Sequence, residues 1–109
     1  MKKVVIESPF AGDVEKNLQY ARAALLDSLS RGEAPIASHL LYTQVLDDTK
    51  PEERALGIEA GLLWAEGAEV ALFYVDLGFS PGMKGALKRY EQRGTPVEFR
   101  SLPGWRDHE

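Results

Sequence analysis

The sequence predicts an α/β domain, a flavodoxin-like or Rossmann-like doubly wound parallel sheet of about four strands in the order 2-1-3-4 with helices on both faces. Two observations carry this. Four short apolar or alternating runs, KVVI (3–6), APIAS (34–38), EVALFYV (69–75) and TPVEFRS (95–101), are separated by segments of helical period or capping. Each intervening stretch is long enough for the right-handed crossover that joins parallel strands.

The first strand ends where ESPFAGD places Pro9 and Gly12 in a loop. Asp13 can cap a helix whose apolar positions Val14, Leu18, Ala21, Leu25 and Leu29 recur at spacings of three and four, stopping near Arg31 and Gly32. After the second strand, HLLYTQVLDD (39–48) has no clean period. A connection this long is usually a lid, a binding loop or part of an interface. Thr49 and Glu52 match a capping box with Pro51 in the first turn, so a helix begins near 50, with Leu56, Ala60 and Leu63 inward, Ile58 and Leu62 beside them, and Gly57 and Gly61 leaving a packing groove. Residues 69–75 form the most apolar run, as a central strand requires. Ser80 and Pro81 start the last helix, which turns Met83, Leu87 and Tyr90 inward and stops at Arg93 and Gly94. One domain over 1–102 is expected, with 103–109 as a tail that hangs off it unless Trp105 packs.

Composition narrows the function. A chain of 109 residues buries roughly two thirds of its unfolded surface. With no cysteine and only His39 and His108, neither disulfides nor a metal site is expected, and no cofactor. A net charge of −4 and a pI near 5.2 argue against a basic nucleic-acid surface. No apolar stretch suffices for a signal peptide or membrane span, so a cytosolic location is expected. The fingerprints G-x-G-x-x-G, G-x-x-x-x-G-K-[ST] and G-x-S-x-G are all missing.

In a sheet of order 2-1-3-4 the first and third strands are neighbours, and ligands bind in the crevice at their carboxyl ends. Residues 8–13, 38–48 and 76–83 converge there. Ser80, the N–H groups of Gly82 and Met83, and the helix dipole form an anion site to which Lys84 adds charge. Asp76 suits sugar hydroxyls. Ser8, Pro9, Phe10, Gly12 and Asp13 supply a hydroxyl, an aromatic face and close backbone approach. His39, Tyr42 and Arg54 are secondary candidates; Arg54 either reaches a phosphate or pairs with Asp48, Glu52 or Glu53. Each has a plainer reading as well: Ser80 as a structural cap, Phe10 as a cover for the sheet end, His39 as an edge residue, Asp47 and Asp48 as acids serving a helix start.

These motifs, SPFAGD after the first strand, the Asp-ended third strand, S-x-G-M before a helix and then G-T-P-V, resemble the nucleoside 2-deoxyribosyltransferase-like proteins over nearly the whole chain. HLLYTQVLDD, PEERALGIEAG and DLGFSPGMKG look closest to a small uncharacterised branch of phages and bacteria. The resemblance implies a nucleotide or nucleoside-type ligand and a glutamate nucleophile shortly after S-x-G-M. At that position this chain has Ala86, which cannot form a glycosyl-enzyme intermediate. The expectation is a protein that binds a nucleotide or ADP-ribose-like molecule without turnover, as a phage anti-defence protein sequestering an immune signal would. The alternative is a nucleotide N-glycosidase or deoxyribosyltransferase-like enzyme using Asp76 with Glu59 or Glu7. A scaffold for protein contact is a third reading. A homodimer or higher homo-oligomer is expected, with Trp64, Tyr90 or Trp105 as aromatic anchors.

Overall fold

A computed structural model describes residues 1–105. It contains four parallel strands, β1 (Lys3–Glu7), β2 (Ala34–Ile36), β3 (Val70–Tyr74) and β4 (Val97–Arg100), in the order β2-β1-β3-β4. The helices are α1 (Val14–Ser30), α2 (Pro51–Trp64) and α3 (Pro81–Arg93). This is the predicted doubly wound α/β fold. Residues 106–109, His108 among them, lie outside the described part.

Alternation along the two central strands sorts the core into two layers, because successive side chains of a strand point to opposite faces. Val4, Ile6, Leu72 and Tyr74 face α1, where Tyr20 and Ala24 cover them. Val5, Ala71 and Phe73 face α2 and α3, against Leu62, Ala65, Met83 and Tyr90. A buried Phe, Leu or Met side chain contributes about 1.5–3 kcal/mol, so the two layers together hold the sheet between its helices.

The helix starts at 13 and 80 follow the sequence. Asp13 Oδ1 accepts from the Lys16 N–H at 3.2 Å, and Ser80 Oγ accepts from the Met83 N–H at 3.2 Å with Pro81 in the first turn. The α2 start differs. Its cap is Lys50, with no side-chain cap bond, and Thr49 Oγ1 instead donates to Asp47 Oδ1 at 2.6 Å. The capping box is not formed, because the nearer Asp47 carboxylate captures the threonine.

Two helix faces are rotated from expectation. In α1 the buried positions are Asn17, Tyr20, Ala21, Ala24 and Ser28, while Val14 and Leu29 are exposed. In α2 the inward residues are Gly61 and Leu62, and Leu56 and Leu63 are 61% and 64% exposed. In α1 the inward face is held by Asn17, which donates to the Phe10 carbonyl, and Tyr20, which donates to Asp76; in α2 the glycines explain the rotation. A Cβ on Gly61 would lie 2.6 Å from Ser38 Oγ, and one on Gly57 would lie 3.3 Å from Leu46 Cδ1. Segment 38–46, which forms two single turns of 3-10 helix, packs on the bare backbone of α2 and so fixes which side faces in.

The chain after β4 turns back over the sheet. Leu102 is buried, its N–H donates to Asp76 Oδ2 at 2.8 Å, and Trp105 meets Tyr20 edge-on with ring centroids 5.0 Å apart. Among the described residues no helix is long and apolar enough to cross a membrane.

Candidate functional site

β1 ends at Glu7, which with the following Ser8 lines a cavity of about 680 Å³ at the carboxyl ends of the strands. That volume lies within the roughly 300–1,000 Å³ of small-molecule sites. Its walls come from the three predicted segments together with α2. Ser8 and Phe10 follow β1, Ser38, His39, Thr43 and Asp48 belong to the connection after β2, and Ser80–Met83 form the start of α3. Arg54, Ile58 and Gly61 come from α2; Gly85, Ala86 and Arg89 continue the α3 wall. Small residues at 82, 85 and 86 share one face of α3, and nothing lies within 4 Å of where a Cβ on Gly85 would project. The cavity exists because this helix face carries almost no side chain.

The first turn of α3 brings the incompletely paired N–H groups of any helix start to the wall, with the positive end of the helix dipole. Arg54 lies against it: a Cβ on Gly82 would be 3.4 Å from Arg54 Nη2. Arg54 Nη1 also donates to Asp48 Oδ2 at 2.6 Å. That pair is partly exposed, and such pairs are worth about 0–1 kcal/mol, so it leaves the guanidinium able to share a second anion.

The end of β1 brings a carboxyl, a hydroxyl and an imidazole, those of Glu7, Ser8 and His39, to the same lining. Tyr90 Oη donates to Glu7 Oε2 at 2.6 Å. Burial pushes the Glu7 carboxyl up to about 7, against which the tyrosine hydrogen bond works only in part. Burial and the adjoining Glu7 charge raise the Tyr90 hydroxyl well above its usual range. Beside them, Ser8 Oγ and His39 Nε2 are 2.8 Å apart, and Thr43 Oγ1 donates to the His39 carbonyl at 2.7 Å. Burial holds His39 down to about 4, so its ring is neutral at pH 7.

Of the residues singled out in the sequence, Ser8, Phe10, His39, Arg54, Ser80, Gly82 and Met83 line this cavity. Pro9, Gly12, Asp13, Tyr42 and Asp76 do not. Asp13 serves the start of α1, Gly12 takes the turn with φ at 99°, and Tyr42 lines a smaller neighbouring hollow of about 70 Å³. Asp76 is turned to the α1 side. Its Oδ2 accepts from Tyr20 Oη at 2.6 Å and from the Leu102 N–H, and its own N–H donates to Tyr20 Oη at 2.7 Å. A buried phenol and an unpaired backbone donor both need an acceptor, and Asp76 supplies it.

Of the three carboxylates weighed as catalysts, only Glu7 lines the cavity; Glu59 is exposed on α2 and meets Arg89 at 3.4 Å. The importance of Glu7 is written in VVIE, where an acid takes the inward position two residues after Val5 at the end of a central strand. Among the described residues no group of three or more His, Cys, Asp or Glu is placed to hold a metal ion.

The chain belongs to the family described as Domain of unknown function (DUF7768), which matches residues 2–100. No curated protein and no solved structure matches it.

Proposed function

We propose that this member of the family binds a nucleotide or ADP-ribose-like small molecule in the cavity between β1, α2 and α3, and holds it without turnover. The phosphate sits against the first turn of α3 and Arg54, and the sugar and base extend toward Ser8, His39 and Glu7. The observation that carries this reading is the placing of a helix start and an arginine in one nucleotide-sized cavity at the switch point of the sheet. Ala86 lines that cavity, so the α3 position at which the resembled enzymes carry a nucleophile offers only a methyl group. A protein that sequesters a nucleotide signal, as a phage anti-defence protein does, needs this binding half alone.

A second reading, an N-glycosidase or base-exchange enzyme, is favoured by one observation: Glu7 is a cavity carboxyl held near pH 7, the range in which a general acid or base is effective. One incubation separates the two. The protein is mixed with nucleosides, nucleoside monophosphates and cyclic ADP-ribose isomers, and the mixture is chromatographed before and after heat release. Intact ligand recovered from the protein fraction is the expected result. Steady release of free base overturns sequestration in favour of turnover, and no ligand in either fraction overturns both in favour of a scaffold.

A further inference from the structure

Arg54, the start of α3 and Glu7 line the same cavity, and Tyr90, further along α3, reaches Glu7 through its hydroxyl. Ten residues separate Ser80 from Tyr90, or about 15 Å of helix at 1.5 Å per residue. The Tyr90 side chain leans back toward the helix start, which leaves on the order of 10 Å between the first turn and the Glu7 carboxyl. A phosphate, a ribose and a base laid end to end fill such a span. A phosphate beside Glu7 would set two anions face to face with little water between them, and Arg89, the nearest cation along α3, already pairs with Glu59, whereas the first turn of α3 offers N–H groups and Arg54. The base therefore meets the carboxyl.

Glu7 uses one oxygen to accept from Tyr90, and its other oxygen has no partner among the described residues while the residue lines the cavity. A carboxylate is an acceptor without donors of its own, so it selects an edge bearing N–H groups. Guanine offers adjacent donors at N1–H and the 2-amino group, hypoxanthine only N1–H, and adenine sets its N6 amino group beside an N1 acceptor. We propose that Glu7 reads the donor edge of the base and that the ligand is a guanine-type nucleotide. This rests on the nucleotide reading above.

Glu7 contacts Tyr90 of α3, on which Arg93 also acts, and it shares the cavity lining with Arg89 of α3, Arg54 of α2, and His39 and Asp48 from the connection after β2. His39 stays neutral from pH 6 to 8, and the Tyr90 hydroxyl stays protonated there. Glu7 itself changes charge in this range. Protonated, it becomes a donor and loses the preference.

The test is calorimetric titration of the full chain with GMP, IMP and AMP at pH 8 and pH 6, for the wild type and Glu7→Gln. At pH 8 the wild type is expected to bind GMP about ten- to a hundredfold more tightly than AMP, the discrimination typical of a paired hydrogen-bond contact to a base edge, with IMP between them. The GMP/AMP ratio is expected to shrink at pH 6, where titration of the ligand phosphate affects both nucleotides alike and cancels. Glu7→Gln is expected to reduce the ratio to within about threefold at both values. The pH arm uses only wild-type protein and so stands even if the variant fails to fold. Equal binding of GMP and AMP, or a GMP preference indifferent to pH, overturns the assignment and leaves nucleotide binding standing. Failure of all three nucleotides to bind overturns the assignment, and overturns the nucleotide reading as well when the nucleosides and cyclic ADP-ribose isomers of the incubation above also fail to bind.

Discussion

Glu7 shows how one residue ties strand, cavity and pH together. Its carboxyl has an ordinary value of 4.5 and a folded value of about 7. An acid whose folded pKa is raised contributes stability that is complete below pH 4.5 and lost as pH climbs through 7, where the unfolded chain ionises freely and the folded one resists. His39 acts in the opposite sense. Its folded value of about 4 lies below the ordinary 6.5, so its contribution is complete above pH 6.5 and lost toward pH 4. Comparing wild type with Glu7→Gln at each pH cancels the histidine. From pH 4.5 to pH 8 the variant is expected to gain on the wild type by up to about 3 kcal/mol in urea unfolding. A difference that stays flat across this range contradicts the raised value. Other residues were only half legible. The sequence marks Asp76 as an acid at a strand end, and that is where it lies; which side it serves depends on Tyr20, 56 positions away, whose hydroxyl claims it. Arg54 offered two roles in the sequence, and the fold gives it a shared position, paired with Asp48 and beside Gly82.

At the scale of elements, the strands and the starts of α1 and α3 were readable because local rules decide them: β-branched runs, Asp13 and Ser80 as caps, Gly94 in the left-handed conformation at φ 77°. The face of α2 was not readable. Apolar spacing selects Leu56 and Leu63, but hydrophobic pattern assigns no weight to a glycine, and here Gly57 and Gly61 make the contact. Gly61→Ala is the direct check. Its methyl would meet Ser38 Oγ at 2.6 Å and Ser38 Cβ at 2.7 Å. Overpacking of this kind costs about 1–3 kcal/mol, more than the gain of about 1 kcal/mol from replacing a helical glycine. A net loss is therefore expected in urea unfolding, relieved by adding Ser38→Gly. Gly85→Ala on α3 meets nothing within 4 Å and is expected to gain up to about 1 kcal/mol. If Gly61→Ala proves as stabilising as Gly85→Ala, segment 38–46 does not rest on α2 as described.

For the whole molecule, strand order and the position of the cavity were legible together, since right-handed crossovers that wind outward in opposite senses from the parallel neighbours β1 and β3 leave a crevice at their carboxyl ends. The composition of that crevice was less so, because Ile58, Gly61 and Arg89 enter it through helix packing rather than through loops. The same holds for association. Tyr90 is fully buried and Trp105 packs on Tyr20, whereas Trp64 is 68% exposed beside Leu63 and near Leu56 on the outer face of α2. Whether a nucleotide occupies the cavity is read from a crystal structure of the protein grown with GMP. Density is expected in the cavity with phosphate at Gly82 and Arg54 and the base edge at Glu7. A cavity closed by the protein's own side chains, or a nucleotide bound on the Asp76 side of the sheet, would contradict it.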